Sequence, residues 1–293
     1  MISFNRNILF PSEIHGDTTV DISLETIHVI EDMEVIERIS SMQKSESVQM
    51  SGQDIYYYRF SHKRFNDLSF SWAMEIKNAL TLFWDAEKKD IYYIKKEAYS
   101  FAKLQFWVLH TFLPLVLELQ RIYRILHVGS IEIDGKPVLF SAPSFGGKST
   151  MVDYFLKQGH FLMSDDSIGI EKRSDSYYAI PSYPFHRPYR QVETLGIFTE
   201  KFAREPKPVH VMYLLNKIEP EGSIEIKELK GIDKFKAFHY SSFIDFAFMK
   251  QERFEYFTEM AKNIPVYQIS YPHGLGRLEE VYDALAVHSR SLS

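Results

Sequence analysis

The chain of 293 residues contains no cysteine, which excludes disulfides and cysteine-bound metals. A cytoplasmic location is the simplest expectation for such a chain. Basic charge is not in excess either. The 34 Lys and Arg residues stand against 39 Asp and Glu, a formal net charge of −5. No general attraction to nucleic acid or to anionic lipid follows from that balance. No apolar run is long enough to span a bilayer. The most apolar stretch, LQFWVLHTFLPLVLEL at 104–119, carries Gln105, His110, Pro114 and Glu118, and a span needs about 20 apolar residues. It reads instead as a buried helix with a break near Pro114. The opening residues MISFNRNILFPSEIHG include Glu13 and no continuous apolar segment, a poor match to a secretory signal. Internal repeats and low-complexity tracts are lacking.

What is present is a core-forming composition, 45% apolar and 15% aromatic, arranged in two regions. Residues 1–95 carry the aromatic, alternating runs DIYYYRF (54–60), DLSFSWAM (67–74), LTLFWD (80–85) and DIYYI (90–94). These predict a small antiparallel sheet with one short helix. From about 96 the apolar residues Phe101, Leu104, Val108 and Phe112 recur at helical steps. Expected domains are therefore an α+β unit over 1–95, serving substrate or partner binding, and a second domain over 96–293.

The second region holds the chemistry. HVGSIEIDGKPVLFSAP (127–143) predicts a hairpin turning at Asp134-Gly135. The segment Ser144-Phe145-Gly146-Gly147-Lys148-Ser149-Thr150 follows it and predicts a phosphate-binding loop opening a helix from about Lys148 to Lys157. Here a residue is missing again. The pattern G-x-x-x-x-G-K-[ST] has Ala142 in place of its first glycine. Alanine is the smallest replacement, and the position starts the turn. On this reading Lys148 reaches the phosphates and Ser149 holds Mg²⁺. FLMS (161–164) then reads as a strand ending in Asp165-Asp166. Carboxylates at the end of a strand next to a phosphate loop suit phosphoryl transfer: one can assist the metal and one can take the proton of an attacking hydroxyl. Arg187 and Arg190, in PFHRPYRQVE (184–193), are candidates for contact with the acceptor or a phosphate, although a basic surface loop accounts for them equally well. NKIEPEG (216–222) resembles a guanine-recognition motif without its aspartate and reads better as a hairpin turn. His239 and His273 receive no role.

The stretch His127, Gly147-Lys148-Ser149, Lys157-Gln158-Gly159-His160 and Asp165-Asp166 resembles the catalytic domain of the HPr kinase/phosphorylase family, with matching intervals between motifs. The match is close over about 45 residues around these motifs and loose elsewhere. The resemblance implies an α/β P-loop domain with a mostly parallel or mixed sheet, and a Mg-ATP-dependent serine kinase. It implies that Asp165 is the base, with Asp166 supporting the metal or the base, and that His127 lines the transfer site. It further implies Glu193, in ETLGI (193–197), as an additional Mg²⁺ carboxylate.

Two departures narrow the expectation. The family's arginine-rich late loop, tied to phosphorolysis, has no counterpart, since residues 261–276 offer only Lys262 and His273 as basic groups. Transfer without the phosphate-driven reverse is therefore expected. The chain's end is similar to that of shorter family relatives, some of which phosphorylate the C-terminal serine of lasso-peptide precursors. The implied partner is thus a peptide or protein bearing serine, with homo-oligomerisation left open. An ATP-binding regulatory module without transfer and a small-molecule kinase share the same site and remain alternatives. Asp165 and Asp166 can exchange the part of base.

Overall fold

The computed structural model describes residues 1–12, 19–60, 70–143, 146–188 and 193–292. The chain divides into two compact units, Met1–Ile122 with Arg190–Leu195, and Tyr123–Tyr189 with Gly196–Ser293. The helical segment after residue 100 thus belongs with the N-terminal sheet, and the boundary falls at Ile122 rather than near residue 95.

Among the described residues the first unit is built on nine strands: β1 (Ile2–Ser3), β2 (Arg6–Leu9), β3 (Thr26–Glu31), β4 (Gln43–Lys44), β5 (Val48–Met50), β6 (Gln53–Arg59), β7 (Trp72–Ile76), β8 (Leu80–Asp85) and β9 (Asp90–Lys95). Their order is β1-β2-β3-β9-β8-β7-β6-β4, with β5 also paired to β6. Pairs β2/β3 and β3/β9 are parallel and the others antiparallel, so the sheet is mixed rather than purely antiparallel. One short helix, α1 (Val35–Ser40), interrupts the strands. Glu75 on β7 anchors this sheet. Burial pushes its carboxyl up, but bonds from Lys44, Lys96 and Tyr58 outweigh burial and bring it to about 2.

The apolar run at 101–119 is one helical rod in three parts: α2 (Phe101–Phe106), a π-helical stretch (Trp107–Phe112) and α3 (Leu113–Leu119). The expected break at Pro114 is absent. Proline removes an N–H and crowds the preceding turn. The wider π turn just before it relieves that conflict without ending the helix. Every residue of α3 is buried, and Phe112 packs on Trp72 of β7 at 4.6 Å between ring centroids.

The second unit has two sheets. The larger contains β11 (Gly129–Ile133), β12 (Lys136–Ser141), β13 (Phe161–Ser164), β19 (Val211–Ile218), β20 (Glu225–Glu228) and β21 (Val266–Pro272), in the order β13-β11-β12-β19-β21-β20. Strands β12, β19 and β21 are parallel, and β11 is antiparallel to both β12 and β13. Strands β12, β13, β19 and β21 therefore all run the same way and end on one edge. The smaller sheet, entirely antiparallel, has the order β10 (Arg124–Leu126), β14 (Ile168–Arg173), β15 (Ser176–Ile180), β18 (Lys207–Pro208). A two-stranded ribbon joins β16 (Phe185–His186) and β17 (Ile197–Phe198).

Alternation along the strands sorts the core into two faces. Val138, Phe140, Leu162, Tyr213 and Ile269 pack with Met151, Val152 and Phe155 of α4 (Lys148–Lys157) and with Val281 and Leu285 of α7 (Leu278–Ser291). Leu139, Met163, Met212 and Val266 face the other way, against Phe238 of α5 (Gly231–Tyr240) and Phe257 and Met260 of α6 (Lys250–Asn263). The unit is a mixed α/β arrangement with a helix-covered central sheet. Among the described residues no helix is long and apolar enough to cross a membrane.

Candidate functional site

The site lies on the edge where β12 and β13 end. After Ser141 the chain turns at Ala142 and Pro143, and Gly146 N–H donates to Pro143 O at 2.9 Å. Ser144 and Phe145, both expected in the phosphate loop, lie outside the described residues. A Cβ on Gly146 would stand 2.6 Å from the Ala142 methyl and 2.8 Å from Pro143 O. Glycine at 146 thus leaves the room that alanine at 142 takes up. Gly147 caps α4 in a left-handed conformation, φ 99°, which glycine reaches without strain. Helix α4 spans Lys148–Lys157, the range the sequence predicts. Its first-turn N–H groups have no intrahelical acceptors, which makes this end a place for an anion. Lys148 is largely buried, and its Nζ donates to Ala142 O at 2.8 Å.

Asp165 and Asp166 follow β13. Asp165 is 3% exposed. Its Oδ2 accepts the backbone N–H of Arg187 at 2.9 Å, and its Oδ1 is buried with no hydrogen-bond partner among the described residues. Burial pushes the Asp165 carboxyl up, the Arg187 N–H draws it down, and the Asp166 charge pushes it up again. The net result lies above the ordinary aspartate value. Asp166 faces the His127 imidazole, with Nδ1 at 3.5 Å, and the Arg187 guanidinium, with Nη2 at 3.6 Å. Tyr183 is buried beside this pair. Burial raises its hydroxyl pKa, Arg187 lowers it, and the two aspartates raise it further. His127 is held from behind, its N–H donating to Ser241 O at 2.6 Å, while Ser241 Oγ also bonds Ser141 Oγ at the end of β12.

Strand β11 runs between the two ends, and its first residue decides how close they come. A Cβ on Gly129 would lie 2.7 Å from Val152 Cγ2, 3.6 Å from Asp165 O and 3.9 Å from Lys148 Cβ. Gly129 therefore lets the first turns of α4 settle against the strand, with the Lys148 stem and the Asp165 backbone both close to it. Sequence reading missed it, although a glycine inside a strand signals such an approach. Val152 is fully buried and stiff at χ1. Gly129→Ala is expected to destabilise the protein by about 1–3 kcal/mol through overpacking. Adding Val152→Ala should recover part of that loss. Thermal unfolding of the two single variants and the double variant tests this coupling; strictly additive losses would refute it.

The remaining expected residues divide. Ser149 and Thr150 sit in the first turn of α4, half-buried. Arg187 joins the carboxylates, and Arg190 lies outside the described residues. His186, next to Arg187, is 8% exposed, with Nε2 3.3 Å from Asp153 Oδ1 of α4 and Nδ1 buried without a partner among the described residues. Gly196 packs beneath it, where a Cβ would fall 2.3 Å from His186 O. Glu193 belongs to the first unit. Its Oε1 accepts from Trp107 Nε1 at 2.8 Å, its Oε2 accepts from Gln53 at 3.3 Å, and Lys103 Nζ stands 3.7 Å away. With both oxygens engaged, Glu193 is not counted among the groups that would hold a metal. Lys217 and Tyr271 border Gly147. The sequence reading placed the first in a turn and gave the second no role.

No family model matches the chain, and no curated protein matches it. Among solved structures, the HPr(Ser) kinase/phosphatase from Coxiella burnetii is similar at a TM-score of 0.36 and 15% identity, covering 57% of this chain and 96% of that one.

Proposed function

We propose that this protein is a Mg-ATP-dependent kinase that transfers the terminal phosphate to a serine hydroxyl of a peptide or protein. One observation carries the reading. Asp165, whose buried carboxylate has one oxygen fixed and the other without a partner among the described residues, has its backbone beside Gly129, as does the stem of the lysine that opens a glycine-capped helix. Binding an anion at the helix start requires no such carboxylate. Accepting a proton from an attacking hydroxyl does.

The roles follow from the chemistry. Exposed N–H groups at Gly147 and the first turn of α4, with Lys148, bind the phosphates. To bind them, the Lys148 ammonium exchanges its bond to Ala142 O for phosphate oxygens. Asp165 takes the acceptor proton, and its raised affinity for protons suits that task. His127 and Arg187 stand beside the Asp166 carboxylate and orient it. Magnesium needs only one or two protein oxygens besides the phosphates, and Ser149 with Asp166 fits that requirement. The ion would neutralise charge on the transferring phosphate.

The experiment is mass spectrometry of serine-containing peptides, lasso-precursor C-termini among them, incubated with the protein and Mg-ATP. A gain of one phosphate on serine is expected, and the product should persist when inorganic phosphate is added without nucleotide. ATP binding with no phosphorylated acceptor would favour a regulatory module. Phosphate gained by small alcohols alone would favour a small-molecule kinase.

A further inference from the structure

We propose that Lys217 is a second phosphate-binding cation of this site, placed beside the helix start together with Tyr271, and that the ligand is one with adjacent phosphate groups. The proposal rests on the nucleotide reading above. Strand β19 lies directly beside β12 and parallel to it, so its end reaches the edge where the loop begins. Lys217 and Tyr271 are register partners on β19 and β21. Neighbouring residues of parallel strands project to the same face, and both side chains come to Gly147. A Cβ there would lie 2.7 Å from Tyr271 Oη, 3.0 Å from Lys217 Cε and 3.4 Å from Lys217 Nζ. Tyr271 Oη also donates to Gly146 O at 3.3 Å, tying the loop to the same strand pair.

The N-terminus of α4 carries the positive end of its dipole, where anions are favoured and cations are not. Lys148 already adds one ammonium to this end, and Lys217 brings a second. Positive charge gathered at one helix start favours a strong anion there. One phosphate can be met by the loop N–H groups and Lys148. A second ammonium over the same loop matches the additional charge of a di- or triphosphate. Chain order hides this, because Lys217 lies far from the loop in sequence and beside a run that resembles a turn.

The test uses the full chain with Lys217→Gln, Lys217→Arg and Lys148→Ala, titrated with Mg-ATP, tripolyphosphate and adenosine by calorimetry. Lys217→Gln should weaken ATP and tripolyphosphate binding about 10- to 100-fold, as loss of one charged hydrogen bond predicts. Adenosine binding should not change. Lys217→Arg, keeping the charge, should retain most of the affinity. Parent-like ATP affinity in Lys217→Gln, with binding lost in Lys148→Ala, would overturn the Lys217 assignment and leave the nucleotide site standing. Equal losses in Gln and Arg variants, with a lowered Tm in both, would show a packing role and overturn it too. A parent protein that binds neither ATP nor tripolyphosphate would remove the nucleotide reading and this proposal together.

Discussion

Lys148→Ala is expected to weaken Mg-ATP binding about 100-fold or more and to remove transfer, while the protein still folds. The lysine is the first residue of α4, and its ammonium donates to the loop carbonyl of Ala142 at 2.8 Å. Charged hydrogen bonds to phosphate contribute about 1.5–3 kcal/mol each, and an ammonium offers three donors. Truncation also removes a largely buried stem. Lys148→Met therefore accompanies the alanine variant, since it keeps most of the stem and loses only the charge. Both variants should lose ATP affinity alike, with Lys148→Met closer to the parent in Tm. Calorimetric titration and thermal unfolding read the two quantities separately. Parent-like affinity in Lys148→Met would mean that phosphate is not bound here.

Much of this site is legible in the chain because its signals are local. A hairpin around Asp134-Gly135, a helix opening at Lys148 and a strand closing at Ser164 each follow from a few neighbouring residues, and all three occur as expected. The substitution of Ala142 for glycine is also explained locally, by the empty space at Gly146. What stays hidden depends on residues distant in sequence. Nothing near Gly129 in the chain says that Val152 and Asp165 will crowd it, and nothing near Lys217 says that Gly147 will lie beneath it. Glu193 is the opposite case. Its short motif resembles a metal-binding signature, yet its carboxylate is claimed by Trp107 and Gln53 of the first unit. The unit boundary is of the same kind. Helical periodicity after residue 100 marks a change of secondary structure, but the apolar faces of α2 and α3 pack with the sheet that precedes them, as the contact of Phe112 with Trp72 illustrates.

Asp165→Asn should abolish most of the transfer yet make the protein more stable at neutral pH. Asparagine keeps the shape and can still accept the Arg187 N–H, but it takes no proton. A general base contributes about 10² to 10⁴-fold in rate, so kcat should fall by that range with ATP affinity nearly unchanged. Stability moves the other way because of the carboxylate's surroundings. The folded protein holds the Asp165 proton more tightly than the unfolded chain, whose ordinary aspartate value is 3.8, and burial is the main cause. For an acid raised in this way, the stabilising contribution is full below the unfolded value and is lost as pH rises through the folded value. Above both, the fold carries a buried charge whose Oδ1 has no partner. The neutral amide removes that charge. The Tm advantage of Asp165→Asn should therefore be small in acid, grow as pH rises above 3.8, and level off at a few degrees above the folded value. In the parent the deprotonation of the folded protein switches the base on, so the rising acid limb of kcat should be centred where the Tm difference levels off. The variant should lack that limb. Thermal unfolding and phosphorylation rates measured across the same buffers decide both points. Turnover at the parent rate would pass the part of base to Asp166, and a Tm below the parent's at neutral pH would show that Arg187 and its neighbours more than compensate the buried charge.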